Sequence, residues 1–214
     1  MKFFFLTTCF IFFLNTSFSQ NTRLSFHQLS CPEKWWIITH PFVANKAKKI
    51  SIDAVAVAHE MKKDTVFDGD ESGGQVDAFR HAYWMASLSQ KICWRKALAL
   101  GKAHEKDAYK KFKKGKIEDE NEIPDSISCV MDLYNNNIGI DIGRRNQDLN
   151  KEDLKKLIRS KIVQGKMKII SKNKKGEFLD CTGNVVDVMQ YKKSWYIPKC
   201  LVDSNIGSVN REKK

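Results

Sequence analysis

Apolar residues in the stretch 41–63 recur every three or four positions, as Ala44, Ala47, Ile50, Ala54, Val55, Ala58 and Met61. That period marks one buried helical face and predicts a helix from Pro41 to Lys63. The same criterion predicts helices over about Gln75–Ile92, Trp94–Phe112 and Asp125–Asn137. A fifth starts after a cap at Asn150, has Asp153 at its third position, and stops before Gly165. An acidic, glycine-bearing loop (64–74) and a polar stretch (113–124) separate these elements. Residues 168–186 hold two short β-type runs around Asn173-Lys174-Lys175-Gly176, which read as a hairpin. Upstream, Cys31-Pro32-Glu33-Lys34-Trp35-Trp36 and His40-Pro41 form an aromatic, proline-marked lead-in. The expected fold class is mainly α. It comprises a compact multi-helix domain over 20–165, a small C-terminal β-hairpin appendage over 166–202, and a loose tail over 203–214.

The first nineteen residues stand apart. Lys2 supplies a positive start, Phe3 to Leu14 an apolar run, and Ser17 and Ser19 the small residues before a cleavage point at Gln20. This is the pattern of a secretory signal peptide. The apolar run is shorter than the roughly 20 residues of a transmembrane helix. The expectation is an exported protein, periplasmic or secreted, without a transmembrane span after cleavage. Cleavage removes Cys9 and leaves Cys31, Cys93, Cys129, Cys181 and Cys200. Cys181 and Cys200 are the favoured disulfide. Cys93 and Cys129 read as small buried hydrophobes in helical contexts. With no Cys-x-x-Cys spacing, a zinc knot or redox pair is disfavoured.

Composition narrows the class further. The 214 residues carry a formal charge of +12, are 42% hydrophobic and have a mean hydropathy of −0.45. Disordered polyelectrolytes and polytopic membrane proteins are thereby excluded. Most of the excess charge lies between Lys91 and Lys116, where ten basic residues face only Glu105 and Asp107. A solvated lysine-rich surface is the commoner meaning of such a run. Its functional meaning is a helical face that meets anionic lipid, acidic polysaccharide or another envelope component. No zinc-finger or RNA-binding signature accompanies it, so nucleic acid is a disfavoured partner.

The second helix carries the chemical signal. From Val76 to Leu88 it is apolar nearly all round, yet Asp77, Arg80 and His81 interrupt it on the face of Trp84. Buried charge is costly unless paired, so the partners must come from elsewhere. His104 lies on the apolar face of the third helix with Glu105 at its edge. Asp132, Asn135 and Asn136 fall within a wedge of about 100° on the fourth. A satisfied core network would pair Arg80 with Glu105 or Asp132 and bond the histidines to asparagines. A functional pocket would use the same groups at perturbed pKa values.

Three blocks carry a resemblance. Gly73-Gly74-Gln75-Val76-Asp77-Ala78-Phe79-Arg80-His81-Ala82-Tyr83-Trp84 is followed by Ala103-His104-Glu105. Then comes Met131-Asp132-Leu133-Tyr134-Asn135-Asn136-Asn137-Ile138-Gly139. Together they resemble an uncharacterised bacterial domain family that recurs in exported and surface-associated proteins. The resemblance covers about residues 70–145. It supports a site without implying a reaction, and its third block carries His where Tyr134 stands, which argues against an essential role there.

Two function classes follow. In a hydrolase, His81, His104, Glu105 and Asp132 are the candidate catalytic residues, and Asp77, Arg80, Asn135 and Asn136 bind substrate or support the network. The same His81, His104, Glu105 and Asp132 are candidate ligands for a divalent metal, although no His-Glu-x-x-His motif is present because Ala108 fills the last position. Asp68, Asp70 and Ser72 match the first half of a calcium loop, but Phe79 stands where its bidentate Glu belongs. An acidic cap for the following helix is the stronger reading of that loop. In the alternative class, the chain is a non-enzymatic envelope-binding or structural module that uses its basic helical face.

Overall fold

A computed structural model describes residues 29–115 and 123–206. The expected signal segment and the end of the tail lie outside the described residues. Six α-helices are present among them: α1 (Cys31–Thr39), α2 (Pro41–Met61), α3 (Gln75–Lys91), α4 (Trp94–Lys113), α5 (Ser126–Arg145) and α6 (Lys151–Val163). Two short strands, β1 (Lys168–Ile170) and β2 (Leu201–Asp203), complete a mainly α fold. Among the described residues, no helix is long and apolar enough to cross a membrane.

The lead-in is a helix of its own. Ser30 Oγ accepts from Glu33 N at 3.3 Å, while Glu33 Oε2 accepts from Ser30 N at 2.9 Å, a reciprocal capping box. Pro32 sits in the first turn, where its missing N–H costs nothing. Helix α5 also departs from expectation, running eight residues past Asn137 to Arg145. Its Gly139 and Gly143 are not stop signals. A Cβ on Gly139 would lie 2.2 Å from Ala82 O, and one on Gly143 would lie 2.2 Å from Ala86 O. Both glycines therefore allow α5 to press against the backbone of α3. Asn136 lies against His81, Gly139 against Ala82 and Gly143 against Ala86, so the two helices run parallel.

Helix α3 is the centre of the domain. Twelve of its seventeen residues are buried, and α2, α4, α5 and α6 all pack on it. On one side Phe79 and Tyr83 join Val57, Met61, Phe67, Ile158 and Ile162. On the other, Met85 and Leu88 join Trp36, Ala97, Leu100 and Ile140. The amphipathic periods of α2, α4 and α6 are thus satisfied by a single shared helix.

The C-terminal region differs from the expected hairpin. The Asn173–Gly176 turn forms, with an isolated bridge between Lys172 and Phe178. The regular ladder instead joins β1 to β2 in antiparallel register, Ile169 opposite Val202. Residues 203–206 are held to the domain because Ser204 is buried. Its Oγ donates to Ile162 O at 2.7 Å, and its carbonyl accepts from Gln75 Nε2 at 2.6 Å. Cys181 and Cys200 form the expected disulfide. Next to it, the buried Lys199 Nζ meets Asp125 Oδ2 at 2.7 Å, tying the appendage to the cap of α5. Cys93 is exposed rather than buried, because it caps α4 just before the face that Ala97 and Leu100 bury.

Candidate functional site

The loop before α3 prepares the first half of the site. Asp68 Oδ2 accepts from Gln75 N at 2.8 Å, and Asp70 Oδ1 accepts from Ser72 N at 3.0 Å. Asp70 Oδ2 also takes Lys172 Nζ at 2.6 Å. Asp68 thus holds the first amide of α3, while Asp70 holds the Ser72 turn and anchors the appendage. The turn also aims Gly73 N at Asp77 Oδ2, 2.7 Å away. The other oxygen of Asp77, Oδ1, accepts from Arg80 Nη2. Arg80 thus pairs within its own helix rather than with Glu105 or Asp132.

The parallel crossing of α3 and α5 supplies the second half. His81 Nδ1 lies 3.2 Å from Asn136 Oδ1. An amide oxygen can only accept, so Nδ1 carries the proton and donates. Burial, followed by the charges of Arg80 and His104, holds the His81 imidazole well below its ordinary range, so the ring is neutral. Its Nε2 therefore presents a lone pair. That lone pair faces Asp132 Oδ1 at 3.3 Å and Asp77 Oδ1 at 3.5 Å. Asp132 Oδ1 is buried with no hydrogen-bond donor. Burial, with the neighbouring charges of Asp77 and Glu105, pushes the Asp132 carboxyl well above the usual carboxylate range.

Three donor atoms from Asp77, His81 and Asp132 lie within 4.8 Å of one another. Ligands about 2.1 Å from a tetrahedral ion stand about 3.4 Å apart, close to the separations about His81 Nε2. One imidazole and two carboxylates suit a borderline or hard divalent ion such as Zn²⁺ or Mn²⁺. Asp77, read from sequence as support, thus stands among the possible ligands.

His104 and Glu105, expected as metal candidates, are placed differently. The rings of His104 and His81 are 6.3 Å apart, but His104 Nδ1 bonds Glu33 Oε1 at 2.9 Å. Burial works against a charged His104, yet the Glu33 bond and the charges of Glu105 and Glu33 raise its pKa. Glu33 is held down to about 2: burial opposes this, and the His104 and Ser30 bonds outweigh it. Glu105 is buried, with Oε1 unpartnered, and burial raises its pKa. Asn135 leaves the group altogether. Its amide forms a two-bond clamp on the backbone of Lys168, Nδ2 donating to O and Oδ1 accepting from N, both at 2.9 Å. A wedge of 100° is wide enough for neighbouring residues to serve different partners, and Asn135 holds β1 while Asn136 holds His81.

Glu33 escaped the sequence reading because it lies 71 residues from His104. Its signal was the spacing Ser30-x-x-Glu33 with Pro32, a helix start that brings α1 over α4. Its arrival also closes a cavity of about 340 Å³ between α1, α2, α3 and α4, to which Arg80 and His104 contribute walls.

The sequence profile of a domain of unknown function, DUF6973, matches residues 34–166. That span covers nearly all of the six helices and omits the β appendage. No curated protein and no solved structure matches the chain.

Proposed function

The chain belongs to the DUF6973 family, a domain of unknown function, and we propose that it is an exported hydrolase with a divalent cation at Asp77, His81 and Asp132. The observation that carries this reading is the convergence of His81 Nε2 with Asp132 Oδ1 at 3.3 Å and Asp77 Oδ1 at 3.5 Å, where Asp132 Oδ1 is buried without a hydrogen-bond partner. Burial raises the Asp132 carboxyl toward its neutral form, and a cation held by Asp77, His81 and Asp132 would displace that proton and take up the carboxylate. A bound cation would lower the pKa of a water ligand and supply hydroxide. Arg80, fixed by Asp77, would stabilise the anionic charge that develops on the substrate. His104 and Glu105 would border the reacting group without ligating the ion. Export is supported by the Cys181–Cys200 disulfide, which persists in oxidising compartments.

The test strips the protein with a chelator, titrates Mn²⁺ or Zn²⁺ calorimetrically, and assays ester, phosphodiester and glycan panels with and without metal. A stoichiometric site lost in His81→Ala, together with metal-dependent cleavage, is the expected result. A parent that binds no divalent ion sinks the metal centre, and metal binding without cleavage leaves a metal-holding binding module. The second reading, an envelope-binding module, is favoured by exposed Lys102, Lys106, Lys111 and Lys113 along α4. Charge reversal at these lysines would abolish binding to anionic vesicles under that reading and leave hydrolysis intact under the first.

A further inference from the structure

The cavity beside the site has a form that selects its ligand. Its floor is a stripe along α2, with Ala44, Ala47, Ser51 and Ala54 spaced by three or four residues and Val55 beside the last. From residue 44 to 55 that stripe spans roughly 16 Å at the helical rise of 1.5 Å per residue. Trp36, Trp84 and Leu100 close the walls. The volume of about 340 Å³ lies at the small end of ligand pockets, about 300–1,000 Å³. A long, narrow, small-residue slot of this kind fits a single extended chain.

Apart from Arg80 and the exposed Asn45 and Lys48, the polar side chains of the wall are already engaged. Trp36 Nε1 donates to Lys96 O at 3.0 Å, and Trp84 Nε1 donates to Ser51 Oγ at 2.8 Å. Glu33 serves Ser30 and His104. A peptide or glycan in the slot would bury its own donors and acceptors unpaired, at a cost of about 1–3 kcal/mol each. An aliphatic chain has none to lose. An extended chain advances about 1.2 Å per bond, the three-bond repeat of an extended backbone, so twelve carbons cover about 14 Å of the slot.

Charge then sets the head group. Arg80 lines the cavity and uses one of its five donors on Asp77. Lys48 stands exposed at the rim and forms no ion pair among the described residues. The single acid of the lining, Glu33, is bonded to His104. We infer that this cavity binds one aliphatic chain of an anionic amphiphile, with the anionic head on Arg80 and Lys48. As the substrate class of the hydrolase, the inference rests on the proposed function; as a binding site it stands on the cavity alone. Arg80 links the two, because the same side chain touches the chain-binding slot and Asp77.

The test uses the purified full chain, chelator-stripped, in low salt, with dodecyl phosphate below its micelle concentration and calorimetric detection. The expected result is one site per chain, with dodecyltrimethylammonium and dodecanol binding at least about tenfold more weakly and inorganic phosphate not competing. Lys48→Glu, at an exposed position, should cut dodecyl phosphate affinity by about tenfold and improve binding of the cationic probe. Ala44→Trp should block the slot for all three amphiphiles, and unchanged Mn²⁺ binding would show that this variant remains folded. The inference is overturned if the parent binds no dodecyl phosphate, if inorganic phosphate binds as well, or if both variants bind like the parent. Mn²⁺ titration of the same samples separates the two ideas. Mn²⁺ without amphiphile removes the inference and keeps the metal centre; amphiphile without Mn²⁺ does the reverse.

Discussion

His81 Nδ1 donates to Asn136 Oδ1 across the crossing of two parallel helices, at 3.2 Å. That one bond decides which nitrogen of the imidazole faces Asp77 and Asp132, and so makes Nε2 a lone-pair donor. Histidine ligands are oriented by the partner of their other nitrogen, and losing it costs 10–100-fold in metal affinity. Asn136→Ala should therefore weaken Mn²⁺ or Zn²⁺ binding by about that factor while the helical circular dichroism persists. Equal affinity in parent and variant would remove Asn136 from the site.

Asp132 bears the opposite relation to stability. Its carboxylate is buried beside Asp77 and Glu105, and Oδ1 has no donor. Asp132→Asn removes the need to take up a proton on folding and brings an amide donor to face His81 Nε2. At neutral pH the metal-free variant should be more stable than the metal-free parent by about 1–2 kcal/mol, since an acid whose pKa rises on folding costs stability above its unfolded value. Added Mn²⁺ should raise the melting temperature of the parent and leave that of the variant unchanged. Thermal scans with and without the ion check both halves, and a variant less stable than the metal-free parent would contradict the argument.

The crossing itself can be tested at two glycines that look alike in sequence. A Cβ on Gly139 would meet Ala82 O at 2.2 Å and Ala82 Cα at 2.8 Å, both backbone atoms that cannot turn away. A Cβ on Gly101 would meet Asn136 Nδ2 at 3.2 Å and Met85 Sδ at 3.3 Å, side-chain atoms that can shift. Alanine favours either helix by about 1 kcal/mol over glycine. Gly139→Ala should nevertheless destabilise by about 3 kcal/mol or more and lose metal binding as α5 backs away from α3. Gly101→Ala should stay within about 1 kcal/mol of the parent. Urea unfolding of the pair measures the contrast, and similar midpoints would show that α3 and α5 are not in backbone contact.

The contrast between those glycines also shows what the sequence can and cannot reveal. Helix α3 was legible because nine of the thirteen positions from Val76 to Leu88 are apolar and can be buried only on several sides, and Asp77, Arg80 and His81 stood out against them. The start of α6 was legible because Asn150 caps it locally, accepting from Asp153 N at 3.0 Å. Gly139 was ambiguous, since a glycine after three asparagines reads equally as a helix stop or as a point of close approach. Only the position of Ala82 in space distinguishes them. Likewise Asp132, Asn135 and Asn136 were placed on one side of α5, but their division between α3 and β1 depends on a strand at residue 168. The donor set shifted from His104 and Glu105 to Asp77 for the same reason. The partner of His104 arrives on α1, whose capping box was hidden by a proline that reads as punctuation.

Glu33 and His104 give the site a pH signature with a defined sign. Glu33 is held at about 2 against an ordinary value of 4.5, so its contribution is full above 4.5 and is lost as pH falls toward 2. His104 is raised above its ordinary 6.5, so its contribution is full below 6.5 and is lost as pH climbs through the raised value. The two windows overlap between about pH 4.5 and 6.5, where both partners are charged. Replacing Glu33 with Gln removes the carboxylate and with it the partner whose bond and charge raise His104. The melting temperature of Glu33→Gln should fall furthest below that of the parent within this window and approach it at either extreme. The His104 ring is half exposed at the cavity wall, so solvent screening keeps the difference modest and salt shrinks it. A melting-temperature gap that stayed constant from pH 3 to pH 9 would mean that Glu33 acts only as the cap of α1, through Ser30, and not through His104.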